Sequence, residues 1–111
     1  MSYNRVVIVG NAVRDPELKT VGANSTSLCE IPFAINERQK VNGEWAKKTT
    51  FLDVTFWGRT AEMVDEYVDK GTQVLIEGRL DVDKWEKDGQ KFSKVKVVGD
   101  TVRFVGGRKD S

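Results

Sequence analysis

Residues 49–57 read Thr-Thr-Phe-Leu-Asp-Val-Thr-Phe-Trp. Alternation splits them into two faces. Leu52, Val54 and Phe56 fall on one, an apolar core face. Thr49, Phe51, Asp53, Thr55 and Trp57 fall on the other. Apolar residues at a period of two predict a half-buried strand. The polar face is unusual because it carries two large aromatics. Phe51 and Trp57 are six positions apart, about 20 Å at the rise of a strand.

Downstream, Gly58-Arg59 breaks the strand, and Thr60 reads as a helix N-cap. Ala61, Val64 and Val68 recur at helical spacing, and Lys70-Gly71 reads as the helix end, with glycine in the C′ place. Residues 72–86 form a long strand with a bend expected at Gly78. There Leu80 and Val82 are expected to face the core, while Arg79, Asp81, Asp83 and Trp85 face outward. Asp88-Gly89 is a hairpin turn, residues 90–105 the last strand, and residues 106–111 a polar end.

Upstream, Asn42-Gly43 is a second hairpin turn, and Trp45 lies on the arm that follows it. Residues 27–37 alternate, with Cys29, Ile31, Phe33 and Ile35 on one face. Pro32 cannot donate to a ladder, so it predicts a free edge or a bulge. Residues 4–13 form the first strand, with Gly10 inside it. Arg14-Asp15-Pro16 turns the chain, and residues 17–21 read as a short continuation.

The order is therefore three strands, a helix and two strands. Long strands bent at Gly10 and Gly78 suit a small closed barrel, in which closure removes free edges. The expected fold is all-β with one helix: a five-stranded OB-fold barrel with the helix between strands three and four. A small α+β sandwich is the alternative. Residues 1–108 make one domain and residues 109–111 a short polar end; 111 residues suffice for a single modest core.

Composition excludes several classes of chemistry. There is no histidine, which removes the usual general base and the commonest metal ligand. The lone cysteine, Cys29, lies in a β-patterned run and reads as a small buried apolar residue. Asp81 and Asp83 alone supply too few ligands for a cation. No enzyme, cofactor, metal or membrane span is expected.

Net charge is +1, but it is segregated. Residues 60–70 carry four acids against one lysine, a net of −3. Residues 38–59 carry a net of +3, and residues 79–97 a net of +2. The basic stretches are those that bear Phe51, Trp57 and Trp85. Aromatics interleaved with lysine and arginine on a sheet face suit unpaired nucleic acid: every base offers a π-face, and the cations track phosphates. Aromatics of this kind also build oligomer contacts, so a protein-interaction barrel is the competing expectation.

Several runs carry a resemblance. They are Val7-Ile8-Val9-Gly10-Asn11 with Asp15-Pro16-Glu17-Leu18, Phe56-Trp57-Gly58-Arg59-Thr60-Ala61-Glu62, residues 67–74 (Tyr-Val-Asp-Lys-Gly-Thr-Gln-Val), Ile76-Glu77-Gly78-Arg79-Leu80, and Lys84-Trp85. Together they resemble the bacterial-type single-stranded DNA-binding proteins over residues 3–108. The resemblance implies a homotetramer that wraps ssDNA, without sequence preference, in replication, recombination and repair, in the cytoplasm and associated with the nucleoid, with a phage or organelle origin left open. It carries base stacking onto Phe51, Trp57 and Trp85. Phosphate contacts fall on Arg59, Lys70 and Lys84, and more loosely on Lys47, Lys48 and Arg5.

The chain also departs from the family pattern. Gln39 stands where some members have a further stacking tryptophan, and Leu52 where some have an interface histidine. Asp81 and Asp83 occupy positions that are often basic, which weakens phosphate attraction locally. Members usually continue into a flexible linker and an acidic tip that recruits partner proteins, whereas this sequence stops at Ser111. Recruitment of replication and repair proteins is expected only with such a tail, and DNA binding without it.

Overall fold

The computed structural model describes residues 2–106. The domain boundary expected at residue 108 and the polar end at 109–111 lie outside the described residues. Six strands and one helix follow in the order β1 (Val6–Ala12), β2 (Leu18–Val21), β3 (Thr26–Val41), β4 (Glu44–Trp57), α1 (Gly58–Tyr67), β5 (Gln73–Lys87) and β6 (Gln90–Phe104).

Five of these strands close into the expected barrel. Around it β1 pairs with β5, β5 with β6, β6 with β4 in parallel, and β4 with β3. The first strand then closes the ring: it leaves β5 at Asn11 and pairs with β3 through Asn11 and Ala12. The sixth strand is β2. It pairs only with β3, so it flanks the barrel, and by strict count the helix lies between the fourth and fifth strands.

Alternation correctly locates the core. Cys29, Ile31 and Phe33 from β3 and Val54 and Phe56 from β4 are fully buried, with Val74, Ile76 and Val97 from β5 and β6. Phe33 and Phe56 meet edge to face, with ring centroids 6.2 Å apart. The helix seals one end of the barrel through Ala61 and Val64, and Val68 follows them into the core. Pro32 lies where β3 has no ladder partner on one side, between its pairing with β2 and its pairing with β1. Its missing N–H therefore costs nothing there, and its carbonyl accepts from Val13 N–H at 3.0 Å.

Of the two glycines expected to bend the strands, Gly78 marks an irregularity, whereas Gly10 lies in an unbroken register with β5. The register between β5 and β6 shifts at Glu77/Gly78, leaving Asp100 as the extra residue. A Cβ on Gly78 would sit inside van der Waals contact of the Val98 carbonyl oxygen, 2.9 Å from that carbonyl carbon. Both hairpin turns have positive φ at both central residues, Asn42-Gly43 and Asp88-Gly89, the conformation that matches strand twist.

Three local expectations need correction. Thr60 is not the N-cap. The helix starts directly after the strand at Gly58, whose φ of 60° makes the sharp corner, and Trp57 stands at the N-cap with no side-chain capping bond. The helix also stops earlier, at Tyr67. Val68 is extended, and Gly71 belongs to a following turn in which its N–H donates to Ala12 O at 2.8 Å. Finally, Leu80 and Val82 are on the core side by parity but 47% and 43% exposed. The β5–β6 hairpin runs on past the end of the barrel, so its inner face has no core left to cover it.

Burial raises the pKa of the Cys29 thiol. The folded chain is expected to resist thiol-modifying reagents at pH 8, with modification rising to one thiol per chain only in denaturant. Fast modification of the folded chain would contradict the burial described.

Candidate nucleic-acid interface

Residues directly opposite each other in a ladder share a face of the sheet. The β3–β4 register pairs Leu28 with Trp57, Pro32 with Asp53, Ala34 with Phe51, Arg38 with Lys47 and Lys40 with Trp45. Trp57, Phe51 and Trp45 therefore share the outer face, at equal intervals along β4. They are 43%, 66% and 63% exposed, so none of them serves the core.

The β5–β6 hairpin adds a second aromatic pair. Trp85 is 47% exposed and lies opposite Phe92. The two rings are stacked, with centroids 5.7 Å apart and planes at 19°. On the same face Lys94 is paired with Asp53, and Lys96 with Asp83 at 3.0 Å. Asp53 holds the Lys94 ammonium above its ordinary pKa, chiefly through the hydrogen bond that Lys94 donates to it. The Asp53–Lys94 pair also joins the two hairpins, because it links the outer face of β4 to the aromatic face of β6.

The candidate residues divide by location. Lys70 lines an open groove with Asn11, Ala34, Asn36 and Gly71. The groove opens beside Phe51, since Ala34 is Phe51's cross-strand neighbour. The loop bearing Lys70 is pinned by Asp15, which accepts from Lys70 N–H at 2.8 Å, and by Asn11, which donates to Gly71 O at 3.1 Å. Lys47 shares the aromatic face. Arg59 is exposed in the first turn of α1, just after Trp57. Lys48 and Lys84 alternate to the opposite faces of their hairpins, where they lie opposite Glu37 and Ser93. Arg5 precedes β1, with its guanidinium engaged by Glu77. Gln39 also points to the side opposite the aromatics, paired with Ala46.

Sequence reading missed Phe92, although the signal was there. A two-residue turn at Asp88-Gly89 sets Lys87 opposite Gln90, and counting back puts Phe92 opposite Trp85. Among the described residues there is no cluster of three or more acidic, cysteine or histidine groups suited to a metal, and no helix is long and apolar enough to cross a membrane.

Comparison with known proteins agrees with this geometry. The pattern of the Single-strand binding protein family matches residues 3–105. A protein named single-stranded DNA-binding protein 1 from Clostridium acetobutylicum is 33% identical over 97% of this chain and 98% of its own length. The chain belongs to the single-strand binding protein family. Other relatives named single-stranded DNA-binding protein are longer. That of Treponema pallidum is 41% identical over 93% of this chain, which spans only 58% of it. That of Wolinella succinogenes is 40% identical, with 64% of its length spanned. The family fold also appears in solved structures. A deletion variant of the single-stranded DNA binding protein from Thermus aquaticus superposes with a TM-score of 0.84 at 27% identity, covering 96% of this chain and 52% of that one. A Plasmodium falciparum protein of the family, solved with ssDNA, superposes equally well at 21% identity, a likeness of fold, over 96% of this chain and 97% of that one.

Proposed function

We propose that this chain binds single-stranded DNA without sequence preference and without catalysis, serving replication, recombination and repair. The observation that carries the reading is the outer face of the barrel, where Phe51 and Trp57 on one hairpin and Trp85 on the other stand exposed among cations. Unpaired bases stack on these rings, each stack worth about 1–3 kcal/mol, the magnitude known for OB-fold proteins of this kind. Arg59, Lys70 and Lys47 take phosphates beside the rings. Lys48, Lys84 and Arg5 contribute through the general field, since they lie off the aromatic face or are already paired. A cytoplasmic, nucleoid-associated place fits the family, and assembly as a homotetramer fits the family and the exposed apolar Val7 and Val9 on β1. Partner recruitment belongs to any acidic tail beyond these residues.

Intrinsic tryptophan fluorescence tests this directly. Titration with oligo(dT) is expected to quench emission strongly, and duplex of equal length is not. Raising salt should weaken the effect, with a slope of about −0.7 per phosphate neutralised. Absence of both quenching and binding would leave assembly as the role of these aromatics.

The acidic groups on this face restrain binding. Asp53 lies one step along the face from Phe51 and occupies the Lys94 ammonium. Asp53→Asn frees that cation and removes a repelling charge. Affinity for oligo(dT) is expected to rise roughly three- to ten-fold at low salt, and the salt slope to steepen by about 0.7. An unchanged slope would place Lys94 off the DNA path.

A further inference from the structure

The β3–β4 hairpin extends well beyond the barrel, and every residue from Asn36 to Phe51 is exposed. Such an arm adds nothing to the core, so its side chains answer to something else. Its two faces differ. On the outer face the register gathers Arg38, Lys40 and Lys47 around Trp45, and among the described residues from Asn36 to Thr49 that face holds no carboxylate. The opposite face carries Glu37, Glu44 and Lys48. The arm is thus cationic on the side that continues the Phe51–Trp57 row.

Trp45 itself is poised in a specific way. Arg38 Cζ is 5.6 Å and Lys40 Nζ 5.9 Å from its ring centroid, so two cations hold the indole from the β3 side. The ring stays 63% exposed. It precedes Phe51 by the same six-residue interval that separates Phe51 from Trp57, about 20 Å along the strand.

We propose that Trp45, with Arg38, Lys40 and Lys47, is an additional nucleotide-binding station at the tip of the arm. The exposed indole stacks one base, and the three cations take the adjoining phosphates. The occupant is the same DNA strand, carried outward past Phe51. This rests on the proposed function and lengthens its path. Gln39, on the far face, leaves the arm without an aromatic on that side, and Trp45 supplies one on the near side.

Two measurements on the full chain test it. In the first, Trp57→Phe and Trp85→Phe leave Trp45 as the sole indole while keeping aromatic rings at both other positions. Binding of fluorescein-labelled oligo(dT) is followed by anisotropy, and Trp45 emission is followed with unlabelled oligo(dT). Binding with strong quenching of Trp45 is the expected result, and binding without quenching overturns the station while leaving the wider function intact. In the second, Trp45→Ala in the otherwise unaltered chain is expected to weaken long oligo(dT) by roughly ten-fold, with Trp45→Phe recovering most of the loss. Equal affinity of Trp45→Ala and the parent, or a changed sedimentation mass with equal affinity, assigns Trp45 to another role. If the parent chain itself fails to bind oligo(dT), the proposed function falls and the station falls with it.

Discussion

Trp57→Ala combined with Trp85→Ala is expected to lower affinity for oligo(dT) by at least about thirty-fold while the barrel stays folded. Each lost stack costs about 1–3 kcal/mol, and the two positions belong to different hairpins, so their losses add to roughly 2–6 kcal/mol. Neither ring belongs to the buried core. Trp85 does surrender its stack on Phe92, about 0.5–1.5 kcal/mol, but that pair lies at the exposed end of a hairpin. Circular dichroism and thermal melting should therefore be close to the parent, as should the sedimentation mass. This separates nucleic-acid binding from the competing role in assembly. An assembly role requires the opposite pattern, with the oligomer lost and DNA affinity kept.

The second large effect falls on stability. Gly78→Ala is expected to cost about 3 kcal/mol, at the upper end of what overpacking usually costs. The added methyl has nowhere to go: the atoms it meets are the backbone carbonyl of Val98 and the Cα of Gly99, and no flexible side chain can swing aside. Relief requires separating β5 from β6 at the bulge, which also pulls on Ile76 and Val97 in the core. For a chain of this size the loss corresponds to a fall in Tm of roughly 10–20 °C. A thermal melt reads it directly, and a Tm within 2–3 °C of the parent would mean that the bulge relaxes easily. Folded Gly78→Ala should still bind oligo(dT), since the glycine carries no DNA contact.

Much of this molecule is legible in its sequence, for identifiable reasons. The strand at residues 49–57 alternates strictly, so Leu52, Val54 and Phe56 had to face one way and Phe51 and Trp57 the other. The Asn-Gly and Asp-Gly turns declare their hairpins because few other residues tolerate two successive positive φ angles. Ala61 and Val64 mark the buried stripe of a helix by spacing alone, while Val68, at the same spacing, is buried just past the helix end. The helix start escapes the sequence because a tight strand-to-helix corner at Gly58 makes a side-chain cap at Thr60 unnecessary. The helix end escapes it because the Gly71 N–H is taken by Ala12 of β1, a residue far away in sequence.

Local pattern thus decided which side each residue faces, since alternation is a property of the backbone. It did not decide what lies on that side. Leu80 and Val82 keep core parity yet meet solvent, because only the closed ring of strands shows where the barrel stops. Nor did it reveal that Asp53 from β4 would take Lys94 from β6. Pairing between strands distant in the chain depends on which edges the closed barrel brings together, and that is settled by burial of the whole core rather than by any one segment.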